Sequence, residues 1–263
     1  NFYGVLMSEF LSNYCENNAS RIAEFTHCNS YIENGVLKKT NTNFFEFARY
    51  AIELPSLRIQ ISVFNILRNI LYYRANFYEK SLQKHDPFQI AYNYLCCNDA
   101  PIQLRIACAR CLFYAAKYLS YVYQNLLSPE ILNTFLQIYF GDTPVLLRNQ
   151  ISCLVIIVGH PVLSKSRECS GPIIEALRPL LTHDEVLISF VDLLDSFDKE
   201  QLYAVLEFFK LLTEIEAEKM RSLLIPENII DQLESLLEYA NDKAHEIILY
   251  LLDFFTSDEE EDN

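Results

Sequence analysis

Pro55-Ser-Leu-Arg58-Ile-Gln60, Pro101-Ile-Gln-Leu-Arg105-Ile106 and Pro144-Val-Leu-Leu-Arg148-Asn149 open three long apolar stretches of this chain in the same way. Inside those stretches the apolar residues recur in steps of three and four, as in Leu57, Ile61 and Phe64 with Ile70 and Leu71. The same steps return in Val205, Phe208, Phe209 and Leu212. That spacing puts one apolar stripe on a helix. Prolines stand at the expected helix starts, at positions 55, 87, 101, 129, 144, 172 and 226. In a first helical turn the missing N–H of proline has no partner to lose. No stretch of six residues alternates apolar and polar convincingly, so the reading is all-α. His160-Pro161 reads as the stop of the third long helix.

Two later helices, Leu202–Leu212 and His245–Phe255, stand in the same place without the arginine, and the spacings from Arg58 through Arg105, Arg148 and Leu202 to His245 are 47, 43, 54 and 43 residues. A shorter helix precedes each long one, over Phe44–Glu53, Pro87–Cys97, Pro129–Phe140, Val186–Asp195 and Glu227–Tyr239. A period of roughly 40–47 residues with two or three helices is the mark of armadillo and HEAT repeats. Such repeats bury their apolar faces only against neighbours. The expected fold is an armadillo-like right-handed superhelix, an α-solenoid. It forms a single domain over residues 1–257, of about five to six repeats, followed by an acidic tail over 258–263. The long helix of each repeat would line the concave side. The repeated arginine either forms a basic ladder for a ligand or bonds carbonyls and carboxylates of the adjacent repeat. Its place in the first turn favours the structural role.

The 263 residues are 51 % hydrophobic and 21 % charged, with five glycines and no tryptophan. That excludes a glycine-rich phosphate cradle and a low-complexity chain. No apolar run reaches the 18 or so residues of a membrane span, so no membrane partner is expected. The net charge of −14 is lopsided, about +2 over residues 1–160 and −16 over 161–263. Such a field repels nucleic acid and steers a basic partner towards the C-terminal half. The chain opens on Asn1 without a basic flank or signal-peptide core, which reads as a fragment or a processed chain.

Eight cysteines lie mostly in apolar helical stretches, the usage of a reducing compartment where thiols act as small hydrophobes. Cys108-Ala-Arg-Cys111 is formally a CxxC, but no strand precedes it. Cys96 and Cys97 are adjacent and point in different directions on a helix, so no metal and no cofactor is expected. The five histidines, at 27, 85, 160, 183 and 245, are each solitary in their repeat, and no catalytic motif is present. The expectation is a binding protein and not an enzyme. Asn18-Ala-Ser20 matches a glycosylation acceptor, which the free-thiol pattern argues against.

Leu54-Pro-Ser-Leu-Arg-Ile-Gln60 followed by Asn69-Ile70 resembles the sixth of the ten armadillo repeats in importin-α, the nuclear-import adaptor. Leu11-Ser-Asn-Tyr-Cys15 resembles the end of an inner helix one or two repeats earlier. Val191-Asp-Leu-Leu194, Ala204 to Leu212 and Ile230-Asp-Gln-Leu-Glu234 resemble the ninth and tenth repeats in order. His245-Glu-Ile-Ile and Leu252-Asp-Phe-Phe255 before the acidic run resemble the family's last helix and tail. The resemblance covers residues 5–262 and implies the C-terminal half of an importin-α or a shortened, divergent relative.

In that family a Trp and an Asn four residues apart on each inner helix face the cargo peptide. The asparagines bond its backbone, the indoles hold Lys and Arg stems, and nearby carboxylates take the charged heads. Carried over here, Asn69 stands at an asparagine position, and Asn65 where the sixth repeat has an arginine. Asn13 matches an earlier asparagine, with Glu9 in the tryptophan's place. In the next helix the pair is either Cys108 and Leu112 or Arg110 and Tyr114; in the following one it is Cys153 and Ile157. The tryptophans are missing throughout. A tyrosine-rich surface is the substitute, from Tyr114, Tyr118 and Tyr121 on one helix and Tyr72 and Tyr73 on another. Arg58, Ser62, Asn65, Asn69 and Tyr72 form a polar stripe on the sixth-repeat helix.

The implied function is import of basic cargo peptides bound at Glu9, Asn13, Asn65, Asn69, Arg110 and Tyr114, in cytoplasm and nucleus. The implied partners include an importin-β-type carrier and a nuclear export factor. The latter would dock at Glu234, Glu238, Asp258, Glu259, Glu260 and Glu261. The alternative is a divergent armadillo scaffold or chaperone-cofactor-like protein that binds a folded partner and reads no signal peptide.

Overall fold

The structure, a computed structural model, describes residues 30–33, 36–39, 44–165, 171–195 and 198–257. The chain forms two compact units, Asn1–Leu126 and Leu127–Asn263.

The first unit departs at once from the strand-free reading. Ser30–Glu33 (β1) and Val36–Lys39 (β2) pair antiparallel, with Glu33 opposite Val36 and Ser30 opposite Lys39. Four-residue strands are too short to show alternation over six residues. The usable signal was the Asn34-Gly35 dipeptide between them, the residue pair that two-residue hairpins favour.

The helices of this unit are α1 (Phe44–Ile52), α2 (Leu57–His85), α3 (Pro87–Cys96), α4 (Ile102–Tyr118) and α5 (Ser120–Leu126). Three of these match the expected pieces, within a residue or so where ends had been set. Helix α2 runs for 29 residues without a break, so no separate first helix precedes α3. It ends only at Asp86, which takes the left-handed conformation (φ 35°) before Pro87 starts α3. Helix α4 packs against α2, α3 and α5, and Cys111 to Ala116 are all buried. This crowding on every side is why Cys108 and Cys111 behave as core residues. Tyr121 does not extend α4. The chain turns extended at Leu119 and α5 begins one residue later, so Tyr121 sits on a different helix from Tyr114 and Tyr118.

The junction between α1, α2 and α3 is tied by side chains. Gln60 Nε2 donates to the Ile52 carbonyl (3.0 Å) and to the Tyr94 hydroxyl (3.0 Å), and that hydroxyl donates to Ile52 as well (3.2 Å). Ile52 ends α1, where the last carbonyls lack intrahelical partners. In the next repeat Arg105, only 6 % exposed, does the same job: its Nε donates to the Leu95 carbonyl near the end of α3 at 2.9 Å. Arg148 donates to the Thr143 carbonyl (3.3 Å) and lies over the Tyr139 ring (5.8 Å). The repeated arginine is structural at positions 105 and 148, and it acts on carbonyls of its own repeat. In the first repeat Arg58 is exposed, because Gln60 two residues on reaches the carbonyl instead.

The second unit holds α6 (Pro129–Phe140), α7 (Val145–Lys165), α8 (Pro172–Thr182), α9 (Asp184–Ser189), a 3-10 turn (Val191–Asp195), α10 (Lys199–Ile215), α11 (Ala217–Leu224), α12 (Ile229–Leu237) and α13 (Asp242–Thr256). The long helices α7, α10 and α13 pack in sequence, α10 between the other two. The shorter helices pack behind them. Ser128, Asp198 and Asn241 cap α6, α10 and α13 by accepting from Ile131, from Glu200 and Gln201, and from Ala244. Such caps satisfy backbone donors that no helix can satisfy itself. Helix α8 begins at Pro172, one of the expected helix starts, while the short helices α5 and α11 were unforeseen as separate pieces.

Two expectations fail on α7. It runs through Pro161 to Lys165, so the proline does not stop the helix at His160. Proline removes only the bond to the residue four before it, and here one further turn persists. Val145–Ser164 is also long and apolar enough to cross a membrane by length and composition, but more than half of it is buried within the fold. It reads as a core helix. Gly159 explains part of that packing, since a Cβ there would meet Leu177 of α8 at 3.0 Å.

Between α7 and α10 the core carries a polar contact. Gln150 and Gln201 are 8 % and 1 % exposed and face each other, with Gln201 Nε2 donating to Gln150 Oε1 at 2.7 Å and the reverse bond at 3.5 Å. Replacing Gln201 by leucine should destabilise the protein by about 1–3 kcal/mol, because the Gln150 amide is left buried without a partner. Calorimetric melts should show the double change to leucine at 150 and 201 recovering most of that loss.

Candidate functional site

Among the residues expected on the peptide face, Glu9 and Asn13 lie outside the described residues, as do Asp258 to Glu261 of the export-factor set. Asn65 is half-buried on α2. Asn69 is 7 % exposed, and its Oδ1 accepts from Nε and Nη2 of Arg68 at 3.3 and 3.1 Å. The expected polar stripe therefore does not lie open along its length: Ser62 and Asn69 are buried, and only Arg58 and Tyr72 are exposed. The cause is α4, which packs along α2.

Of the open alternatives on α4, Cys108 and Leu112 are buried, Arg110 is half-buried and Tyr114 is 5 % exposed. Tyr114 instead builds an aromatic cluster. Its ring stacks on Tyr118 at 6.2 Å and meets Tyr72 of α2 edge-on at 6.0 Å. On α7, Cys153 is buried and Ile157 half-buried. Glu234 on α12 and Glu238 just beyond it are exposed.

The second unit holds a set the sequence reading passed over. On α10, Tyr203 donates its hydroxyl to Glu207 Oε1 at 2.6 Å. The two are four residues apart and share a face. That bond, burial and the carboxylates of Glu207, Glu200 and Glu246 together push the Tyr203 phenol up to about 12. Glu246 and Tyr250 form a second four-residue pair on α13. Tyr250 faces α10, with Lys210 Nζ at 5.0 Å from its ring and the Thr213 hydroxyl at 3.5 Å from its own. On α7, burial holds the His160 imidazole below its ordinary value, and Glu207 opposes that shift. Two adjacent long helices, α10 and α13, thus bring two tyrosine rings and the carboxylates of Glu200, Glu207 and Glu246 together.

The chemistry of that face follows from its parts. Carboxylates accept from ammonium and guanidinium groups, and aromatic faces attract the same cations. The surrounding field agrees, since residues 127–263 carry nine Lys/Arg and 26 Asp/Glu, a net of −17. The signal was an aromatic and a carboxylate at a four-residue step on each of two long helices.

Among the described residues no group of three or more His, Cys, Asp or Glu is placed to hold a metal ion. Cys108, Cys111 and Cys153 are buried and Cys97 is exposed. Burial pushes the Cys111 thiol up to about 12 and that of Cys108 well above its ordinary value. A thiolate is the reactive form. Iodoacetamide at pH 8 should therefore label Cys97 in the native protein and spare Cys108, Cys111 and Cys153, as peptide mapping by mass spectrometry would show.

No protein-family model and no curated protein matches this sequence. Solved structures do share its fold. One is a designed armadillo repeat protein with 13 % identity, a TM-score of 0.54 and coverage of 96 % of this chain and 93 % of that one. Another is a designed armadillo repeat protein in complex with the peptide (KR)4, with 14 % identity, a TM-score of 0.51 and coverage of 95 % and 91 %. An engineered protein with 12 % identity and a TM-score of 0.53 covers 95 % of this chain and 89 % of its own. The fold is an armadillo-like α-solenoid.

Proposed function

We propose that this armadillo-like stack is a non-enzymatic scaffold that binds an extended basic peptide against Tyr203, Glu207, Glu246 and Tyr250. The observation that carries the reading is the joining of two aromatic–carboxylate pairs on adjacent long helices in a strongly acidic half of the chain. Lysine and arginine stems would lie on the tyrosine rings and their heads on the carboxylates. The similar fold of a designed protein seen with (KR)4 supports peptide binding by such a stack.

The finer reading is an importin-α-like adaptor that carries basic cargo between cytoplasm and nucleus with an importin-β-type carrier. Its export factor would dock at the exposed Glu234 and Glu238 and the acidic run beyond. Supporting it are the repeat spacing, the order of the repeat likenesses and the acidic C-terminal half.

The test is fluorescence anisotropy with labelled (KR)4 and an uncharged Gly/Ser peptide of equal length. Binding of (KR)4 should weaken steeply as salt rises, because screened charges make the contact. Equal binding of both peptides, or none, would reject the reading. A folded partner is favoured by one observation, the exposed apolar side chains of Phe140, Val145 and Leu146 at the turn between α6 and α7. A scaffold that uses that turn would ignore (KR)4 at every ionic strength.

A further inference from the structure

The first unit contains a cavity that the basic-peptide reading does not use. It is an open cleft of about 280 Å³ between α2 and the end of α4, lined by Tyr72, Tyr73, Asn76, Phe77 and Tyr118. That is below the 300 Å³ or so where small-molecule pockets begin, and suits one large side chain. Phe77 is 65 % exposed and Tyr72 42 % exposed. Apolar rings held this open in the middle of a helix face are costly to leave wet.

The two helices that line the cavity are net basic. Helices α2 and α4 together carry eight Lys/Arg and a single carboxylate, Glu79. Arg68, Tyr72 and Asn76 follow at four-residue steps on α2, and Arg110, Tyr114 and Tyr118 do so on α4, so each trio shares a helix face. Tyr72 and Tyr114 join the two rows, and Lys117 Nζ lies 5.7 Å from the Tyr118 ring centre. The Arg110 Nε is buried without a hydrogen-bond partner.

We infer that this face binds an acidic peptide whose aromatic side chain fills the cavity while its carboxylates meet the cations of α2 and α4. A basic peptide is disfavoured, because the cations of α2 and α4, Lys117 beside Tyr118 among them, would repel it. A nucleic-acid strand needs successive open aromatic faces for its bases. Here Tyr72 packs edge-on against both Tyr73 (4.6 Å) and Tyr114, so one anchor position remains rather than a row.

The probe is a fluorescein-labelled peptide with glutamates on both sides of one phenylalanine, titrated against the full chain by anisotropy. Its phenylalanine-to-alanine version, an oligouridylate and (KR)4 serve as comparisons. The acidic phenylalanine peptide should bind, and its alanine version about tenfold more weakly. Phe77→Ala and Lys117→Glu in the protein should each weaken it by about tenfold. Phe77 is exposed, so the variant should keep its circular dichroism and melting curve. Glu207→Lys with Glu246→Lys should leave this binding unchanged, which separates the inference from the basic-peptide reading. The inference is overturned if the two acidic peptides bind alike, if Phe77→Ala has no effect, or if the oligouridylate binds more tightly.

Discussion

Replacing Phe208 by alanine should destabilise the protein by about 3–5 kcal/mol, the range for emptying a buried aromatic site. Phe208 is fully buried and packs edge-on against Phe190 at 5.8 Å, where α9 passes into the 3-10 turn. It is flanked on α10 by Val205, Phe209 and Leu212, all buried, so the site has little room to collapse. Against a total stability of about 5–15 kcal/mol the loss is large, and the melting temperature should fall by on the order of 10 °C. Stacked repeats depend mainly on their neighbours. Hydrogen exchange should therefore speed up in α9, α10 and the 3-10 turn and stay unchanged in α1 to α4. Phe208→Leu should cost much less. A melt within 2 °C of the parent protein would show that the hydrophobic contact between α10 and the short helices is not what holds this unit.

The largest effect on binding is expected from Glu207→Lys combined with Glu246→Lys. Each change removes a charge-assisted acceptor and places a cation beside the incoming one. Together they should weaken (KR)4 roughly 100-fold, about 2.7 kcal/mol. Both carboxylates are on the surface of their helices, Glu246 exposed and Glu207 half-buried, so the double variant should stay folded. Tyr203→Phe gives a sharper test. It keeps the ring but removes the hydroxyl that occupies Glu207, and a freed carboxylate should bind (KR)4 at least as well as before. Tyr203→Ala removes the ring and should weaken binding. If the double charge reversal leaves the affinity intact, the basic peptide is held elsewhere and the site assignment fails, whatever the peptide preference.

Most of the helical plan was legible because it rests on local physics. The steps of three and four, the prolines at first turns and the recurrence of the motif at Arg58, Arg105 and Arg148 all act within a few residues. The ends of Phe44–Ile52, Pro87–Cys96 and Pro129–Phe140 follow from them almost to the residue. What escaped was either too short or too lenient for pattern. The hairpin strands and α5 lack the length for a period, and Pro161 interrupts one backbone bond in a helix that its packing still holds together.

The site was less legible, for a different reason. Asn69 and Tyr114 carry the right chemistry, and their spacing is helical, but spacing does not reveal which side a neighbour will cover. Helix α4 covers that part of α2, and Asn69 ends up bonded to Arg68. Tyr203, Glu207, Glu246 and Tyr250 were equally visible as four-residue pairs. They become a surface only because α10 and α13 pack side by side and bring Tyr250 against Lys210 and Thr213.

Periodicity and proline placement alone determined that this chain is a series of paired helices at a spacing of some forty residues, since those preferences are settled within one or two turns. Which polar side chains are buried and which meet a ligand was decided only when the helices packed. Exposure depends on neighbours dozens of residues away, and nothing in a local pattern records them.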